Sequence, residues 1–302
     1  GTTTLVTTAQ GATIDLATNG SGNAFTSELL ITTNDDNSAY TAHVSVDGGT
    51  TNLIIGTSTI DGNLTLRSGG TITDDGIATV RGNLTATTDA NDSDITLDSL
   101  EVGGAYILTV HGTGIVTIVN ATGLDFAPMT VRGAFSATAT TGNITQSGAL
   151  DIEGTTTLVT LADHGTIDLK VNSITNAFTG KLLITTNDTG SGTDGDVEID
   201  GGTTNLIIGL STIDGDLDLV SGGTITDDGI ATVRGTLTAT TDASASAITL
   251  NQLAVTDAFT LAPNGTGAVT IVNAAGLNLA ASTMGGTFSG TATTGNITQT
   301  GA

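Results

Sequence analysis

The chain has 302 residues, a formal net charge of −24 from 30 acidic against 6 basic side chains, 42 glycines, no cysteine, no tryptophan and only 3% aromatic residues. So acidic a surface repels nucleic acid and anionic membranes, and the missing cysteines exclude disulfides, thiolate metal sites and thiol nucleophiles. No apolar run approaches the roughly 20 residues that cross a bilayer.

In chain order, short alternating segments follow one another: Ile14 and Leu16, Leu64 and Leu66, Leu84 and Ala86, Ile95 and Leu97, Val116 and Ile118 each flank a polar residue. That period of two is a strand with one face inward. It predicts Ile14, Leu66, Ile72, Val80, Leu97, Ile118 and Ile144 in a narrow core with little aromatic content. Gly-Gly, Asp-Gly, Thr-Gly and Asn-Asp pairs separate the segments and supply turns. No stretch carries a capped apolar stripe of helical period.

The chain also repeats itself. "GTTTLVT" at Gly1 returns at Gly154, "LLITTND" at Leu29 returns at Leu182, "GGTTNLIIG" at Gly48 returns at Gly201, and "GGTITDDGIATVRG" at Gly69 returns unchanged at Gly222. The offset is 153 residues throughout, without insertion or deletion, which divides the chain into copies 1–153 and 154–302. A frozen offset suits a stack in which one added residue would break the register. Inside each copy, segments opening at Gly62, Gly82 and Gly133 show a looser period of about 20 residues.

Short strands, absent helices and this period predict an all-β chain folded as a parallel β-helix, or β-solenoid, with about 20–22 residues per coil. About seven coils per copy, spaced by about 4.8 Å, would make a continuous rod on the order of 65 Å. An array of immunoglobulin-like sandwiches is the competing fold, but it calls for longer strands and a buried aromatic. Since the second copy stops at Ala302, where the first runs on through "LDIE", the chain is expected to continue. The opening "GTTTLVTTAQ" lacks the basic start and apolar core of a signal peptide, so any export signal is expected outside these residues.

The segments "GNLTLRSGGTITDDG", "GNLTATTDANDSDITLDSL" and "TATTGNITQSGALDIEGTTTL" resemble the repeats of filamentous-haemagglutinin-like adhesins and other giant bacterial surface proteins with β-strand repeats. The resemblance covers essentially the whole chain and implies a right-handed parallel β-helix. It also implies an extracellular or cell-surface shaft used in attachment, aggregation or surface coating. The family's secretion domain and an Arg-Gly-Asp triplet are not found in this sequence.

Candidate chemistry is sparse. His43, His111 and His164 align with Asp196, Asn264 and Gly11 of the other copy, so no imidazole is shared, and each reads as a surface or turn residue. Among the arginines, Arg67 becomes Val220 and Arg132 becomes Gly285, leaving Arg81 and Arg234 as the shared pair. The tandem acids Asp74 and Asp75, with Asp227 and Asp228, are expected to form turns in which Gly76 takes a positive φ. They are also the weak Ca²⁺ candidates. Threonine rows on a flat face raise ice binding, but their spacing is irregular. No catalytic residue and no obligatory cofactor is expected. The predicted role is a non-enzymatic shaft segment of a large bacterial fibre or adhesin, partnered end to end by further copies and in contact with other cell surfaces or polysaccharide. A carbohydrate-binding or carbohydrate-active β-helix is the alternative.

Overall fold

A computed structural model describes residues 1–18, 20–36, 39–171, 175–190, 192 and 194–301. It divides into two compact units, Gly1–Thr140 and Thr141–Ala302.

In the first unit, β-branched and leucine residues at alternate positions make strands of three to eight residues, which the chain winds into coils. Each coil crosses one sheet, turns, and returns through a second. The first sheet contains Thr3–Val6, Leu29–Thr32, Leu53–Ile55, Ile72–Asp74, Ile95–Val102, Val116–Asn120 and Phe135–Ala139. The second contains Ile14–Leu16, Val44–Asp47, Leu64–Ser68, Leu84–Asn91 and Tyr106–His111. The pairing is parallel and in register: Val44, Leu64, Leu84 and Tyr106 stand in one row, and Val46, Leu66, Ala86 and Leu108 in the next inward row. A single 3₁₀ turn at Gly20–Gly22 is the one helical element among the described residues.

The second unit repeats this plan. Lys181–Asn187, Leu206–Ile208, Ile225–Asp227, Ile248–Val255 and Val269–Asn273 build one sheet. Val197–Asp200, Leu217–Ser221, Leu237–Thr241 and Ala258–Ala262 build the other. The all-β parallel solenoid read from the sequence is therefore the fold of each unit.

Burial follows the alternation. Leu66, Ile72, Val80, Leu97, Ile118 and Ile144 are buried as expected, whereas Ile14, in the first coil, is only half-buried. Two features go beyond that reading. Coils are not uniform: matching corner residues lie 19 apart at Asn52 and Thr71 but 26 apart at Thr8 and Asn34, because some corners carry a loop that bulges without disturbing the strands. The core is also not free of aromatics, for Tyr106, Phe126, Phe135, Phe178 and Phe259 are fully buried. Phe126 meets Phe135 edge-on with centroids 5.2 Å apart, a favourable quadrupole geometry. A solenoid core is thin, yet it holds aromatics that pack on one another, Tyr106 on Phe126 and Phe126 on Phe135.

Candidate functional site: the corners between coils

Polar chemistry concentrates where the coils turn. Strands hydrogen-bond to their neighbours along their length, but a corner leaves backbone N–H groups without a ladder partner, and such groups need another acceptor. Side chains of the preceding coil supply it. Asn63 Oδ1 accepts the Asn83 N–H at 2.9 Å, and Asn83 Oδ1 accepts the Ala105 N–H at 2.9 Å. In the second unit, Asp196 Oδ1 accepts from Asp216 N at 2.8 Å, and Asp216 Oδ1 accepts from the Thr236 N–H. The Gly-Asn openings of the repeats thus have a mechanical cause. Asparagine caps the next coil, and glycine lets the backbones close up: a Cβ on Gly82 would lie 2.2 Å from Asn63 Oδ1 and 2.9 Å from the Gly62 carbonyl.

His43 belongs to the same ladder. Its Nδ1 accepts the Asn63 N–H at 3.0 Å, the job that Asp196 does in the other copy. His111 Nδ1 lies 2.6 Å from the Thr88 carbonyl. Both are exposed and bound to an adjacent coil, His43 at a corner and His111 at the end of the strand Tyr106–His111.

The tandem acids split their duties. Asp74 Oδ1 and Oδ2 accept the backbone N–H groups of Asp98 and Ser99 at 3.1 and 2.9 Å, bracing the bulge of the next coil. Burial pushes its carboxyl above the ordinary carboxylate range, with the two N–H bonds opposing that shift. Asp227 Oδ2 likewise accepts from Gln252 N at 2.7 Å. Asp75 and Asp228 face solvent, and Asp228 pairs with Lys181. The adjacent carboxylates therefore diverge rather than converge. Gly76 takes the positive φ expected of it, 159°, and Thr57 also closes the position to a side chain, since its Oγ1 and amide nitrogen would lie 2.6 and 2.7 Å from a Cβ.

Other structural polar residues gave no signal in the sequence beyond recurring. Asn120 is fully buried; its Oδ1 accepts Val102 N–H at 2.8 Å, and its Nδ2 donates to the carbonyls of Val102 and Gly123 at 3.1 and 2.6 Å. Asn273 repeats this arrangement with Val255 and Gly276. A second class of corner is built on a buried aspartate. Asp35 donates its N–H to Asp61 Oδ2 at 3.1 Å, and the shared Arg81 donates to the Asp35 carbonyl at 2.9 Å. The Arg81 guanidinium also lies 4.8 Å from the Tyr40 ring centroid, within cation–π range. Beside it is a cavity of about 230 Å³ lined by Tyr40, Arg81, Glu101 and Thr122 among others.

A family model described as repeats of unknown function (DUF5649) matches residues 41–109, 113–185, 194–262 and 266–302. No curated protein and no solved structure matches the chain. The family matches reveal a symmetry that the 153-residue offset conceals. Val44, Val116, Val197 and Val269 each stand three residues into a match. In the first unit, Val44 opens a strand of one sheet and Val116 a strand of the other; in the second unit, Val197 and Val269 are divided in the same way. One family repeat therefore spans an odd number of strand faces, about three and a half coils, and two repeats are needed to restore the starting face.

Proposed function

This chain belongs to the family of repeats of unknown function (DUF5649), and from that membership we propose a mechanical role: a non-enzymatic shaft segment of a large extracellular bacterial fibre or adhesin. The single observation that carries the reading is the alternation of equivalent strands between the two sheets. Both faces are tiled by one sequence unit, so neither is reserved for a ligand, and reach grows with repeat number. The repeated acids support it too, since Asp74 and Asp227 are engaged by backbone N–H groups of the next coil.

End-to-end partnership with further copies is part of the proposal. The 153-residue repeat without insertion or deletion supports it, since each copy offers the next the same succession of strands. Labelling the native protein on cells for electron microscopy tests the role. Surface filaments are expected, with no hydrolase or lyase activity of the purified chain on polysaccharides. An intracellular location or turnover of a polysaccharide would overturn it.

A carbohydrate-binding solenoid is the second reading, favoured by the cavity beside Tyr40 and Arg81. Saturable glycan binding that Tyr40→Ala abolishes would establish it in place of the shaft.

A further inference from the structure

Two corners share a buried aspartate but not its partners. Asp35 in the first copy has a fully satisfied carboxylate: the Gln10 amide donates to Oδ1 at 2.8 Å, and the Thr41 N–H and hydroxyl donate to Oδ2 at 2.7 and 2.9 Å. Asp188 holds the equivalent place in the second copy. Its N–H likewise donates to an aspartate of the next coil, Asp214, at 3.2 Å, and Arg234 approaches its carbonyl at 3.5 Å. The scaffold is the same in both.

The donors have been exchanged for acceptors. Where the first corner has Gln10, Gly11 and Thr41, the second has Asp163, His164 and Asp194. Asp188 Oδ1 keeps one donor, the Gly190 N–H at 2.8 Å, while Oδ2 is buried without a hydrogen-bond partner and lies 4.0 Å from Arg234 Nη1. The Asp188 side chain is 0% exposed. A buried carboxylate oxygen without a donor is costly, and adding two further carboxylates at the same corner raises the cost unless a cation is present.

The surrounding atoms converge. His164 Nδ1 lies 3.8 Å from Asp188 Oδ1 and 3.1 Å from Asp194 Oδ2, and its Nε2 lies 3.4 Å from Asp163 Oδ2. Asp163 is held by the Thr189 N–H and hydroxyl, both on its Oδ1 at 2.8 and 2.9 Å, which leaves Oδ2 for another partner. One ligand atom from each of Asp163, His164 and Asp188 falls within 4.8 Å of the others. Arg234 reaches Asp188 and Asp214, at 4.0 and 3.5 Å, while Asp163 and Asp194 lie against His164, so the four carboxylates outnumber the cationic groups of the corner.

We propose that this corner binds a divalent transition-metal ion through Asp163, His164 and Asp188, with Asp194 as a fourth ligand. Three carboxylate oxygens and an imidazole suit zinc or manganese better than calcium, which takes oxygen ligands alone. The first copy, with amide and hydroxyl donors at the same place, binds none there. A single ion would then join Asp188 and Asp194 to the preceding coil at Asp163 and His164.

The sequence itself supplies the control. Asp163→Gln, His164→Gly and Asp194→Thr together rebuild the first corner, and the backbone accepts them, since His164 and Gly11 have φ values of 59° and 66°. Metal-free protein should be titrated calorimetrically with zinc chloride, manganese chloride and calcium chloride, each alone, with thermal melts alongside. The expected result is one zinc ion per chain, a raised melting temperature, and loss of both in the triple variant, which keeps the parent's circular dichroism. No saturable binding, equal affinity in the triple or the His164→Gln variant, or calcium bound as tightly as zinc would overturn the proposal.

Discussion

Tyr106 lies against Phe126 with ring centroids 6.0 Å apart and planes inclined by 56°, and its hydroxyl is sealed in the core without a hydrogen-bond partner. Burial drives the phenol far above its ordinary pKa, so it stays neutral. At the equivalent position the other copy has Phe259, also fully buried. Tyr106→Phe is therefore expected to stabilise the protein by about 1 kcal/mol, the desolvation cost of an unpaired hydroxyl. A urea titration measures it; a loss of stability would mean that the hydroxyl has a partner.

Asn120 is the opposite case, a buried polar side chain whose every group is used. Asn120→Ala would leave the Val102 N–H and the Gly123 carbonyl unpaired inside the core, at an expected cost of about 2–4 kcal/mol. Asn34→Ala, at an exposed corner with a bond to the Thr8 carbonyl, should cost under about 0.5 kcal/mol. Equal midpoints for the two variants would contradict the buried role.

Ile72 is 0% exposed and stacks between Leu53 and Ile95. Ile72→Asp places an unpaired charge in that row and should unfold the adjacent coils, a loss of more than about 4 kcal/mol. Thermal melts followed by circular dichroism report it, and an unchanged melting temperature would refute the inward assignment.

The acid limb of the stability profile separates two kinds of aspartate. Asp74 has a raised pKa in the fold, so its contribution is fully present below the unfolded carboxylate pKa and is lost as pH rises through the folded value. Asp92 is lowered by the N–H and hydroxyl of Thr113, so its contribution is present above the unfolded pKa and is lost as pH falls through the folded value. Between about pH 3 and pH 7, the stability of Asp74→Asn relative to the parent should rise, and that of Asp92→Asn should fall. Parallel profiles for the two variants would contradict the assignments.

The strands were legible because burial on a two-faced coil imposes a period of two, and Leu64, Leu66, Leu84 and Ala86 obey it. The exchange of sheets was not, for the same reason: Leu64–Ser68 and Phe135–Ala139 read alike although they occupy different sheets, and a period of two carries no label for which sheet a strand joins. Corner chemistry was half legible. Gly-Asn pairs signal turns, but only the stacking shows that Asn63 serves the next coil. The pairing of Gln10 with Asp35, 25 residues apart, depends on a coil length that varies with each loop, so neither that corner nor its altered counterpart at Asp188 could be assembled from spacing.

The shaft reading is tested most directly by small-angle scattering on chains of two and four copies of the 153-residue unit. About seven coils per copy at about 4.8 Å each predict a maximum dimension that grows linearly, by about 34 Å for each added copy, at constant cross-section. A dimension that grows only as the cube root of chain length, with a thickening cross-section, would contradict it.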